Sequence, residues 1–127
     1  MHAGRGMVLV VDDGEINQIV ATGMLERLGY TVRTADDGFE AVAAIRHTTY
    51  DAVLMDVQMP GMDGYRATAE IRRIEGALQH TPIIAMTAGA LEGDRERCLA
   101  AGMDDYISKP VDMARIRQTL TRWAPAR

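Results

Sequence analysis

Short apolar runs alternate five times with stretches of helical period, and few architectures accept that pattern. Met7-Val-Leu-Val-Val11 is continuously apolar, as a strand buried on both faces is. Behind it, from Glu15, Ile16, Ile19, Val20 and Met24 recur at steps of three and four. Leu28 continues the helical pattern and Gly29 stops it. Tyr30–Thr34 reads as a second strand, more polar and nearer a sheet edge. Asp37-Gly38 starts a helix in which Ala41, Val42 and Ile45 share a face. Asp51–Met55 is the third strand, Pro60–Gly64 a loop by composition, and a helix through Ala67, Ile71 and Ile74 ends near Gly76. Pro82–Met86 is the fourth strand. Gly89–Gly93 is weakly specified and predicts a loose helix start, followed by helix over Arg95–Ala101 with Gly102 as C-cap. Asp105–Ser108 is a short fifth strand. Asp112 caps a last helix carrying Ile116, Leu120 and Trp123 on one face.

Strands alternating with helices predict a parallel sheet covered on both faces, because parallel neighbours need a crossover of a dozen or more residues. The length fits one domain spanning 1–127, with a core over 7–123 and tails at 1–6 and 124–127. The net charge is −4, and no basic stretch exceeds Arg72-Arg73, which argues against direct nucleic-acid binding. The single Cys98 cannot form an internal disulfide and fits a reducing compartment. No apolar run approaches the roughly 20 residues of a membrane span, and nothing at Met1–Gly6 resembles a signal peptide. The expectation is a cytoplasmic domain with no membrane contact.

The runs end in residues that can do chemistry. The first meets Asp12-Asp13, the third Asp56, the fourth Thr87, and the fifth Lys109-Pro110. Ligands in open α/β sheets bind beyond the carboxyl ends of the strands, at the point where strand order reverses. If the second strand lies outside the first, the first and third are neighbours at that point. Three clustered carboxylates repel one another by about 4 kcal/mol per close pair at an effective dielectric of 20. Either one is protonated or a cation sits among them. An all-oxygen set with room for water and a phosphate oxygen suits Mg²⁺. His2, His47 and His80 lie away from the strand ends, which argues against zinc. Asp56 is the natural nucleophile, since an aspartate can carry a phosphoryl group as an acyl phosphate. Lys109 is the only Lys among fourteen basic residues, and a compact ammonium suits a phosphoryl oxygen. Each residue alone also has a plainer reading. Asp13 suits a helix cap, Thr87 another cap, Lys109 a solvated charge, Tyr106 packing, and Cys98 a small buried side chain. Asp51 and Asp63 read as turn acids. The joint placement at four strand ends favours chemistry.

From Met7 to Trp123 the chain resembles a response-regulator receiver domain. The resemblance rests on Val11-Asp12-Asp13, on Leu54-Met55-Asp56-Val57-Gln58-Met59-Pro60-Gly61-Met62-Asp63-Gly64, on Met86-Thr87-Ala88, and on Ala101-Gly102-Met103-Asp104-Asp105-Tyr106-Ile107-Ser108-Lys109-Pro110. It implies a flavodoxin-like, doubly wound (βα)5 fold with strand order 2-1-3-4-5. It implies phosphoryl transfer from the phosphohistidine of a histidine kinase or histidine-phosphotransfer domain onto Asp56, with Mg²⁺ as cofactor. Asp13 would bind the metal directly, Asp12 through water, and the main-chain carbonyl of Gln58 would complete the protein ligands. Thr87 and Lys109 would hold the phosphoryl oxygens, and Tyr106 would turn inward as Thr87 moves. Gln58 and Gly89 would set the lifetime of the acyl phosphate. The wording is closest to receivers of hybrid histidine kinases, through Glu15-Ile16-Asn17-Gln18 and Gly64-Tyr65-Arg66-Ala67-Thr68. Gly14 and Gly89 depart from it, since many relatives carry Asn at both positions. Ile16, Ile19 and Val20 are the expected docking surface for the phosphotransfer partner.

Two other classes remain in view. One is a receiver-like interaction module that does not phosphorylate, against which Asp56, Thr87 and Lys109 argue. The other is a haloacid-dehalogenase-like phosphatase. Such enzymes carry Asp-x-Asp after the first strand, whereas here the acids are adjacent and Gly14 follows. The expectation is a domain that phosphorylates and dephosphorylates itself rather than a turnover enzyme.

Overall fold

The structure is a computed structural model and describes residues 6–88 and 93–125. Five strands, β1 (Met7–Val11), β2 (Thr31–Ala35), β3 (Ala52–Asp56), β4 (Ile83–Thr87) and β5 (Asp105–Ser108), alternate with five helices. The helices are α1 (Glu15–Arg27), α2 (Gly38–His47), α3 (Gly64–Glu75), α4 (Asp94–Ala101) and α5 (Met113–Trp123). The strands form one parallel sheet in the order 2-1-3-4-5. That is the doubly wound fold expected. The polar β2 lies at an edge, where only its Ala35 is buried. Every residue of β3 and β4 is buried.

The pleat divides the apolar residues between two cores. Leu9, Val11, Val53, Met55, Ile83 and Ala85 face α2, α3 and α4, with Ala41, Ala67, Ile71 and Cys98 packed on them. Val8, Val10, Leu54, Ile84, Met86 and Ile107 face α1 and α5, meeting Ala21, Leu25, Ile116 and Leu120. Three helices start on an aspartate whose carboxylate accepts an N–H three residues on, as helix N-caps do. These are Asp37 to Glu40 at 2.8 Å, Asp63 to Arg66 at 2.9 Å and Asp112 to Arg115 at 2.8 Å. The apolar stripe of α1 splits. Leu25 is buried and Met24 and Leu28 pack against the core, whereas Ile16, Ile19 and Val20 stand in solvent at 76, 63 and 44% exposure. The core also runs past Trp123: Ala124 is buried and its carbonyl accepts the Tyr30 hydroxyl at 2.8 Å. Among the described residues no helix is long and apolar enough to cross a membrane.

Gly64 differs from its loop assignment. It opens α3, and a Cβ there would lie 2.3 Å from the Asp56 carbonyl oxygen and 2.8 Å from Val57 Cα. Only a glycine lets α3 begin against the backbone of the third strand. We expect Gly64→Ala to lower the unfolding free energy by about 1–3 kcal/mol through overpacking. The neighbouring cap loss in Asp63→Ala should cost about 1 kcal/mol. Urea denaturation measures both; a Gly64→Ala protein as stable as wild type would remove the close-approach argument.

Candidate functional site

Strand register builds the site. Val11 pairs with Met55, so Asp12, one residue past β1, comes level with Asp56 at the end of β3. Asp56 pairs with Met86, which sets Thr87 one step further along β4. Thr87 pairs with Ser108, and the Lys109 N–H donates to the Thr87 carbonyl at 2.7 Å. The Lys109–Pro110 peptide is cis. Lys109 starts two strands away from Asp56, yet its Nζ lies 3.2 Å from Asp56 Oδ2 and 3.5 Å from Asp12 Oδ2. Its plainer reading as a solvated charge does not hold.

The carboxylates of Asp12, Asp13 and Asp56 each offer an oxygen within 4.8 Å of the others. Asp12 and Asp56 are buried and Asp13 is exposed. Asp12 Oδ1 accepts the Gly14 N–H at 2.8 Å and the Asn17 amide at 3.4 Å. Asp56 Oδ1 accepts the Gln58 N–H at 3.1 Å. The plainer reading of Asp13 as a helix cap also fails: the N-cap of α1 is Gly14, without a side-chain cap bond. Thr87 is buried and ends β4, seven residues before α4 begins. Tyr106 sits mid-strand in β5, opposite Ala85, half-buried against the core shared with α4. Gln58 is exposed just past Asp56. Gly89 lies outside the described residues. Ile16, Ile19 and Val20 stand on the first turns of α1, on the same side of the sheet as Lys109 and its neighbour Val111.

Burial pushes the Asp56 carboxyl above its ordinary value of 3.8. The Gln58 N–H and the Lys109 ammonium work in the opposite direction, and Asp12 adds to the rise. Three acids facing one ammonium leave an excess of negative charge where two of the carboxylates are shielded from water. The donor set is all oxygen, and the third carboxylate is open to solvent, so the residues fit a hard divalent cation that keeps part of its water.

Sequence reasoning missed Gln18. Its amide Nε2 lies 2.7 Å from the Asp12 carbonyl, 3.2 Å from the Ala35 carbonyl and 2.8 Å from Asp36 Oδ1. Its signals are its place on the first turn of the helix behind the acids and its share in the Glu15-Ile16-Asn17-Gln18 wording, neither of which reveals its three partners.

The raised pKa of Asp56 makes a signed prediction. Folded Asp56 keeps its proton to higher pH than the unfolded chain does. Above 3.8 the folded state therefore binds more protons, and its contribution to stability falls as pH rises through that window. Asp56→Asn removes the penalty. In a chelator the variant should melt above wild type at pH 7, with the gap closing as pH approaches 4. Thermal denaturation at the two pH values checks this; a variant less stable than wild type at pH 7 would refute it.

Residues 8–121 match the family described as the response regulator receiver domain. The sensor histidine kinase RcsC of Escherichia coli is 47% identical over 118 residues, covering 93% of this chain and 12% of that protein. The chain thus spans about one-eighth of the kinase. Among solved structures, the receiver domain of a Pseudomonas aeruginosa sensor histidine kinase is 47% identical with a TM-score of 0.85, covering 95% of this chain and 98% of that one. A magnesium ion is coordinated in its active-site cleft. The co-crystal structure of a Saccharomyces cerevisiae histidine phosphotransfer protein with the receiver domain of its downstream response regulator matches with a TM-score of 0.87 at 28% identity. That match covers 98% of this chain and 92% of that one. Fold, strand-end acids and relatives agree: the chain belongs to the response regulator receiver domains of two-component systems, and its relatives include the receivers of hybrid sensor histidine kinases.

Proposed function

We propose that the chain accepts a phosphoryl group on Asp56 from a phosphohistidine and passes the signal on by a change of surface. The observation that carries this is Lys109 Nζ at 3.2 Å from Asp56 Oδ2, beside two further carboxylates. An Asp56 carboxylate oxygen attacks phosphorus, the bond from phosphorus to the imidazole nitrogen breaks, and that nitrogen keeps the electron pair and takes a proton. The product on this chain is an acyl phosphate. Hydrolysis ends the phosphorylated state: water attacks phosphorus, the bond from phosphorus to the Asp56 oxygen breaks, the carboxylate keeps the electron pair, and inorganic phosphate and a proton are released.

Such transfer needs positioning and charge neutralisation more than acid–base chemistry. Mg²⁺, when bound, offsets the negative charge of the acids and the phosphoryl oxygens. Asp12, Asp13, Asp56 and the main-chain carbonyl of Gln58 would hold it. Asp13 would bind directly and Asp12 through water. Lys109 moves from Asp56 to a phosphoryl oxygen, and the Thr87 hydroxyl donates to another. Tyr106 follows Thr87 inward, and the β5 face between α4 and α5 shifts its equilibrium. Gln58 and Gly89 set the lifetime of the acyl phosphate by controlling water at phosphorus. The magnesium in the Pseudomonas relative supports the metal assignment.

The donor is a histidine kinase or histidine-phosphotransfer domain in the cytoplasm. It docks on Ile16, Ile19 and Val20, whose exposure leaves apolar area beside the acids. The yeast complex supports a partner of this class.

Intact-mass spectrometry after incubation with acetyl phosphate tests the acceptor. Wild type should gain one phosphoryl group only with Mg²⁺, and Asp56→Asn none; labelling of the variant would refute the assignment. No adduct on wild type that binds Mg²⁺ would instead favour a non-phosphorylating interaction module. Ile19→Glu should slow transfer from a histidine-phosphotransfer partner about tenfold, the weight of one central interface residue. It should spare labelling by acetyl phosphate, and unchanged partner transfer would discard the docking face.

A further inference from the structure

We infer that Gln18 is a positioning residue for the metal-binding acids, an assignment that rests on the phosphoryl-acceptor reading above. Gln18 lies in the first turns of α1, half-buried behind the ends of β1 and β2. Three acceptors surround its amide nitrogen: the Asp12 carbonyl at 2.7 Å, the Asp36 carboxylate at 2.8 Å and the Ala35 carbonyl at 3.2 Å. They fix the orientation of the amide, because a flipped group would point its oxygen at three oxygens.

The last backbone bond between β1 and β2 runs from the Asp12 N–H to the Ala35 carbonyl at 3.1 Å. Gln18 adds one more rung, with a side-chain amide standing in for a backbone N–H. It joins two strand ends and α1 at the point where the ladder stops.

The consequence falls on Asp13. The Asp12 carbonyl belongs to the peptide that links Asp12 to Asp13. Asp13 is exposed, so its direction is set by the backbone it hangs from. With the Asp12 N–H held by Ala35, Asp12 Oδ1 by Gly14 and the Asp12 carbonyl by Gln18, this peptide has one orientation. Releasing the carbonyl lets the peptide rotate and swings Asp13 away from Asp12 and Asp56. Gln18 does this without adding charge, so the acids keep their full attraction for a dication. Groups that orient the ligands of a metal typically change its affinity by 10–100-fold when removed.

The test compares wild type with Gln18→Ala and Gln18→Met. Methionine keeps the length of the side chain and its helix propensity but has no donor. Isothermal titration calorimetry with Mg²⁺ gives the affinity, thermal unfolding in EDTA gives the metal-free stability, and acetyl phosphate labelling against Mg²⁺ concentration gives the rate. Both variants should bind Mg²⁺ about tenfold more weakly. Their labelling curves should shift to higher Mg²⁺ by the same factor and reach a plateau near that of wild type. A purely structural role would lower the melting temperature and leave the Mg²⁺ affinity unchanged, and that result overturns the inference. Wild type that binds no Mg²⁺ would overturn the parent reading and this one with it. Wild-type binding matched by both variants overturns this one alone.

Discussion

The ion pair of Lys109 with Asp56 is the constraint on which the site depends. A carboxylate at the end of a fully buried strand loses its water, and burial alone would drive it toward its neutral form. The ammonium at 3.2 Å keeps charge at that position accessible. One cation cannot balance Asp12 and Asp13 as well, and the remainder of the negative charge is what a divalent ion would answer. The pair also ties the end of β3 to the end of β5 across β4, so the active geometry is a property of sheet order rather than of any one loop.

The opposite end of the sheet handles buried charge differently. There the Arg72 guanidinium donates to Glu75 at 2.7 Å, to Asp104 at 2.8 Å, and to the carbonyls of Thr81 at 2.8 Å and Gly102 at 2.9 Å. Glu75 also accepts the Thr81 N–H, and Asp104 the Ile83 N–H. Every charge in this knot has a partner of opposite sign, which is how a buried ion pair becomes tolerable. It locks the end of α3 to the turn before β5 and the start of β4. The knot sets two carboxylates against one guanidinium, with His80 Nε2 2.6 Å from Asp104 Oδ1, whereas the strand ends set three carboxylates against one ammonium, so the larger excess of negative charge lies at the candidate site.

Much of the site was legible because its parts are separately punctuated. Asp12-Asp13, Asp56, Thr87 and Lys109 each end an apolar run, and a strand that ends in a polar residue announces the sheet edge. Asp112 reads as a cap for a local reason and the structure keeps it as one, while Asp37, read as a helix start, and Asp63, read as a turn acid, cap their helices as well. Gly64 was legible only as a loop residue, because the backbone it touches is eight residues away and in another element. Arg72 gave no signal beyond its place in the longest basic stretch, since its partners come from three segments. The apolar residues of α1 read as one stripe, yet the core takes the face of Ala21, Leu25 and Leu28, with Gln18 in line above them, so Ile16, Ile19 and Val20 fall on the side of the helix turned away from the sheet.

The sequence by itself determined the alternation of strands and helices, the parallel sheet that alternation requires, and the residue types at the strand ends. These follow from periodicity, capping and crossover length, which act over a few turns of chain. Only the tertiary structure decided which acids are buried, that Lys109 reaches Asp56, that Gly64 must be small and that Gln18 braces Asp12. Each of these depends on distances between elements far apart in sequence. Such distances are set by strand register and by packing on the two faces of the sheet, and no local pattern encodes them.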